Sequence, residues 1–133
     1  MEDSIFTKII KGEIPCHKVY EDEVSMAFLD VHPQFPGHTL VIPKTQIDHI
    51  WDLDDDLYHH LWDVAKKVQV KLKDVLNPPR VGVAVEGFGV PHVHIHLIPL
   101  YDIKDFKKPQ DLESEPDHEA LAVMAEKLKF TSE

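Results

Sequence analysis

The stretch His92-Val93-His94-Ile95-His96-Leu97-Ile98-Pro99 constrains this chain more than any other. Histidine and apolar residues alternate strictly from His92 to Leu97, which is the period of a half-buried β-strand. Successive side chains on a strand point to opposite faces. Val93, Ile95 and Leu97 are therefore expected to face a core, and His92, His94 and His96 to share the other face. Three of the ten histidines in the chain fall within these five residues. Histidine changes charge near neutrality and serves as ligand, acid, base or nucleophile. The fold must therefore supply a sheet with one covered face and one chemically active face.

The rest of the chain supplies elements for such a sheet. Residues 4–12 are expected to form a short helix, with Ser4 as N-cap and Gly12 as stop. Its apolar side is Ile5, Phe6, Ile9 and Ile10, which by default packs on a core. Val19-Tyr20-Glu21 and Ser25 to Leu29 read as a hairpin about Asp22-Glu23. Asp30 to His38 is a loop punctuated by Pro33, Pro36 and Gly37, and it carries Asp30, His32 and His38. Thr39 to Pro43 is an apolar, central strand. A long helix opens at Asp54-Asp55-Asp56, whose charges suit a helix N-terminus. Leu57, Leu61, Val64, Ala65, Val68, Leu72 and Val75 recur at helical spacing until Asn77-Pro78-Pro79 stops it. Val81 to Val85 is another strand, and Glu86 to Pro91 a tight loop into the histidine strand. Tyr101 to Pro116 is expected to be an exposed or partner-facing loop, and Asp117 to Lys129 a final helix. Runs of strands with helices between and after them indicate α+β, with a mostly antiparallel sheet.

Size and charge narrow the function. The 133 residues suit one domain, 1–133. No apolar run approaches a membrane span. The acidic N-terminus lacks the basic and apolar parts of a signal peptide. Cys16 is the only cysteine, which suits a reducing, cytoplasmic setting. The net charge is −10, and no basic run exceeds two residues, so a nucleic-acid polymer is not expected as partner. A small anionic ligand remains compatible, because a local site can oppose the global sign.

The histidine row admits three readings on chemistry alone. It is a solvated polar face. It is a metal site, in which two imidazoles of a His-x-His pair need a further ligand such as His38, because His92 and His96 lie ~13 Å apart along a strand. Or it is a nucleophilic site working on phosphorus, with flanking histidines orienting the attacking ring. In the third case the Gly87-Phe88-Gly89 turn offers backbone N–H groups to phosphate oxygens.

His-Val-His-Ile-His-Leu-Ile resembles the motif that names the histidine triad superfamily. Further blocks match in order: Phe6, Ile9-Ile10 with Gly12 to Pro15, Val19 to Asp22, Ala27 to Asp30, and Pro36 to Lys44. The chain is most similar to the nucleotide-binding phosphoramidases and the dinucleoside polyphosphate hydrolases. The resemblance implies a five-stranded antiparallel sheet with helices, usually paired into a homodimer. It implies that His94 is the nucleophile, attacking the α-phosphorus of a nucleotide to form a nucleotidyl-histidine that water resolves. His96 would contact phosphate and assist the leaving group, while His92 and His38 orient the site. Asp30 would accept hydrogen bonds from ribose hydroxyls. Ile5, Phe6, Ile9, Phe28 and Val31 would sandwich the base, and the backbone of Gly89 and Val90 would hold phosphate. No metal or cofactor is expected.

The chain departs from the family pattern in three places. Ser4, Thr7 and Gln46 stand where some members carry a zinc-binding Cys-x-x-Cys pair and a histidine. Gly87-Phe88-Gly89-Val90 stands where Gly-Gln-Ser/Thr-Val is usual. Leu100 stands where polyphosphate hydrolases often have arginine. The loop change supports the alternative of a nucleotide-binding or scaffold protein with little turnover.

Overall fold

The computed structural model describes residues 2–131. The five strands are β1 (Lys18–Glu21), β2 (Ser25–Leu29), β3 (Thr39–Pro43), β4 (Arg80–Ala84) and β5 (Ile95–Leu100). They form one antiparallel sheet in the order β1-β2-β3-β5-β4. The helices are α1 (Ile5–Ile10), α2 (Asp55–Leu76) and α3 (His118–Leu128). This is the expected α+β fold.

Strand parity divides the sheet into two faces. Ala27, Leu29, Val41, Ile95 and Leu97 join Val93 in one core cluster. That cluster takes Leu61, Val64, Ala65, Val68 and Leu72 from α2, and Leu121, Ala125 and Leu128 from α3. The even-numbered partners, Met26, Phe28, Leu40 and Ile42, form a second cluster with Phe6 of α1. Strands β2 and β3 are buried along their whole length because both faces are covered. By the same parity Asp30, His38, His94 and His96 belong to the α1 face. The apolar stripe of α2 is consumed by the chain's own core, and Tyr58, Val70 and Val75 are the helix's exposed large apolar residues.

Local chemistry explains the element ends. Asp54 caps α2, its carboxylate accepting from Leu57 N at 2.9 Å, and Asn77 closes it in the left-handed conformation at φ 52°. Gly37, at φ 100°, turns the chain into β3 and delivers His38. That φ strains any residue with a Cβ, which at Gly37 would also press on the Leu76 side chain, so the position favours glycine.

The histidine strand begins later than the alternation predicts. β5 starts at Ile95, not at His92. Pro43, at the end of β3, has no N–H for the ladder, and its carbonyl is taken by the His92 side chain at 2.9 Å. The His92 and Val93 backbones bond to Val90 and Ile47 instead.

Candidate active site

Four histidines converge on the α1 face, and their partners determine where the protons sit. The backbone N–H of Gln34 donates to His38 Nδ1 at 3.1 Å. Neutral His38 therefore carries its proton on Nε2. That atom lies 2.9 Å from His96 Nδ1, so His96 accepts there and carries its own proton on Nε2. Burial, reinforced by the neighbouring histidines, lowers both groups to a pKa of about 4, which keeps them neutral at pH 7. His94 Nδ1 faces the His92 carbonyl at 2.7 Å and must donate to it. In neutral His94 the lone pair is then on Nε2.

Among the described residues, two of these ring nitrogens find no hydrogen-bond partner, and they are a complementary pair. His94 Nε2 is a bare acceptor, and His96 Nε2–H is a buried donor with nothing to bond. The two rings stand 4.9 Å apart, and both line one cavity of about 530 Å³. An unmade hydrogen bond at a buried donor costs roughly 1–3 kcal/mol, so a ligand oxygen placed there is strongly favoured.

The cavity walls are apolar on one side. Ile5, Phe6 and Ile9 of α1 line it together with Phe28 and Val31, and Phe6 packs edge-on against Phe28 with centroids 5.5 Å apart. Phe6 packs edge-on against His94 with centroids 5.0 Å apart. Asp30, Gly89 and Val90 also line the cavity. Among the residues singled out from sequence, all of these reach the cavity. His92 and His38 do not line it. His92 is fully buried behind Phe6, and His38 backs His96.

The structure adds three parts to the site, of which the sequence points to Glu86 and to the Ser4, Thr7 and Gln46 positions but not to Gln110 or Leu112. Glu86 lines the cavity with a carboxylate oxygen within 4.8 Å of a ring nitrogen of both His94 and His96. The loop expected to be exposed or partner-facing, residues 101–116, contains a short 3₁₀ turn (Ile103–Lys107) and returns Gln110 and Leu112 to the cavity. Gln110 Nε2 donates to Asp30 Oδ2 at 2.9 Å and to the His32 carbonyl at 2.8 Å.

The N-terminal turn forms the third part. His92 Nε2–H donates to the Pro43 carbonyl, so its Nδ1 accepts from Ser4 Oγ at 2.7 Å. Ser4 Oγ also caps α1 by accepting from Thr7 N at 3.0 Å. Thr7 Oγ1 and Ser4 N both donate to Gln46 Oε1, at 2.6 and 2.7 Å. The cap of α1 and the ring of His92 are thus one hydrogen-bonded cluster.

Residues 11–103 match the family model of the HIT domain. The chain belongs to the HIT domain family. Its relatives include the protein hit of Bacillus subtilis, 40% identical over 75% of this chain and 72% of that protein. Adenosine 5'-monophosphoramidase HNT1 of Saccharomyces cerevisiae is 40% identical over 75% of this chain and 64% of the yeast protein. The crystal structure of a Hit-like protein from Bartonella henselae superposes with a TM-score of 0.80, at 31% identity over 96% of this chain and 95% of that one.

Within this HIT domain, two three-residue groups have metal-like spacing: Asp30, His38 and His96, and Glu86, His94 and His96. The proton network opposes both. His38 Nε2 and His96 Nδ1 already bond each other, and His96 Nε2 carries a proton that an ion would have to displace. The Ser4, Thr7 and Gln46 positions converge as the family comparison implies, but they offer hydroxyl and amide oxygens, which suit zinc poorly.

Proposed function

We propose that this HIT-family chain is a nucleotidyl-histidine hydrolase. It acts at the α-phosphorus of a nucleoside phosphoramidate or a dinucleoside polyphosphate. The observation that carries this reading is the unpartnered pair, His94 Nε2 and His96 Nε2–H, set side by side under an apolar slot. The name of the yeast relative, an adenosine 5'-monophosphoramidase, agrees with it.

The chemistry follows from the proton positions. The base lies among Ile5, Phe6, Ile9, Phe28 and Val31, and Asp30 accepts from the ribose. The lone pair of His94 Nε2 attacks phosphorus. The bond to the leaving amine breaks, and the amine takes a proton from solvent. His96 Nε2–H donates to a phosphate oxygen as charge develops there. The cationic nucleotidyl-imidazole keeps its Nδ1–H on the His92 carbonyl, which stabilises it. Water then displaces His94 from phosphorus, giving up a proton to solvent, and the electron pair returns to Nε2. His92 and His38 orient the reacting rings and touch no substrate.

A second reading has its own observation. Phe88, 96% exposed, and Gly89 stand where relatives have side-chain donors, so the loop offers phosphate only backbone N–H groups. A nucleotide-binding protein with little turnover would look like this. In either case residues 1–133 act as one domain, the cellular setting is cytoplasmic, as the lone Cys16 suggests, and the working form is a homodimer.

Mass spectrometry after a brief mix with an adenosine phosphoramidate separates the readings. We expect one nucleotidyl group on the peptide holding residues 92–96. His94→Ala should abolish the label while nucleotide binding survives. Labelling that persists in His94→Ala and disappears in His92→Ala would overturn the assignment.

A further inference from the structure

We propose that Gln110 is a specificity-determining residue of this site, which holds Asp30 for a ribose diol and shares in its recognition. This rests on the proposed function, which gives Asp30 the ribose. The starting observation is the amide geometry. Both N–H groups of Gln110 are used, one on Asp30 Oδ2 and one on the His32 carbonyl. No donor among the described residues reaches its Oε1. A carboxamide is planar, so fixing both donors fixes the carbonyl, and Gln110 lines the cavity.

Asp30 is pinned from two directions. His32 N donates to Oδ1 at 2.9 Å, and Gln110 Nε2 donates to Oδ2. Each oxygen keeps one lone-pair direction for a ligand. A carboxylate held in one rotamer presents two acceptors at a fixed spacing, which suits the two hydroxyls of a cis-diol. Gln110 Oε1 adds a third acceptor beside them. A 2'-deoxyribose presents one hydroxyl fewer and leaves a desolvated acceptor unpaired, which is how a polar site rejects an analogue.

The segment carrying Gln110 is itself tied to the loop carrying Asp30. Gln34 Nε2 donates to the Lys108 carbonyl, and Lys108 Nζ lies 4.6 Å over the Phe35 ring. Leu112, two residues on, forms part of the cavity wall. The polar segment therefore acts as a strap whose inner face is built from Gln110 and Leu112.

The test uses nucleotide binding, which does not depend on turnover. Calorimetric Kd values for AMP and 2'-deoxy-AMP are measured for the wild type, Gln110→Ala and Gln110→Glu. The wild type should prefer AMP, and Gln110→Ala should reduce that preference about tenfold at unchanged Tm. Gln110→Glu sets a second carboxylate against Asp30. Its preference should be lost, because a carboxylate at 110 can no longer donate to Asp30. If Gln110 merely pins its loop, both nucleotides weaken equally and the ratio stays put, which overturns the inference. If the wild type binds neither nucleotide, the proposed function falls first.

Discussion

A proton on His38 or His96 in the folded chain would be a charge with little access to water. Both groups stay neutral down to a pH of about 4, whereas an unfolded chain takes up protons below 6.5. The folded pKa values are depressed, so the stability linked to these groups is full above pH 6.5. It is lost as pH falls toward 4, because only the unfolded state gains protons in that window. Each pKa unit of difference corresponds to about 1.4 kcal/mol per group. We expect Tm to fall on acidification from pH 7 to pH 5. The decline should be shallower in His96→Asn, which removes one such group. Equal slopes for the two proteins would show that the neutral His38–His96 pair does not dominate acid sensitivity.

At the scale of elements, the loop from Glu86 to Pro91 is where the proposed turnover is expected to be set. Gly87 sits at φ 77°, where a side chain is strained, but Gly89 lies outside the left-handed region. A Cβ on Gly89 meets nothing within 4 Å. Gly89→Ser is therefore sterically free and restores a hydroxyl donor next to the phosphate site. One preorganised donor to developing charge is worth about 10²–10³ in rate. We expect Gly89→Ser to raise kcat/KM on an alkyl adenosine phosphoramidate by at least tenfold. Fast wild-type turnover with no gain from serine would show that the backbone N–H groups suffice. This loop also marks where sequence reading ends. Helix α2 was legible because its apolar period and its Asp54 and Asn77 caps agree. Strands β2 and β3 were legible as short apolar runs. The late start of β5 was not, because it depends on Pro43 of another strand. Gln110 was not, because residues 101–116 have no periodicity and its role exists only through Asp30, eighty positions earlier. His94 and His96 were visible as a pattern, yet their proton positions required Gln34 N and the His92 carbonyl.

At the scale of the molecule, the two edges of the sheet are not equivalent. The β1 edge is closed by the chain itself: Phe130 N donates to the Val19 carbonyl at 2.8 Å, and α3 packs beside it. The β4 edge has no further strand among the described residues. Val83 and Val85 stand there 37% and 39% exposed, and Gly82 on the other face is covered by Leu100 and Phe106. An open apolar edge is a template for pairing with another chain, and proteins normally cover such edges. A second copy docking β4 on β4 is the closed, two-fold way to do so. Because the core stripe of α2 is already used, the edge strand and the outer residues Val70 and Val75 are left to supply the contact. We expect light scattering at micromolar concentration to give twice the chain mass. Val83→Lys, a charge on the paired edge, should shift the protein to monomer while leaving its circular dichroism unchanged. A monomer mass for the wild type, or a dimer indifferent to Val83→Lys, would move the interface away from β4.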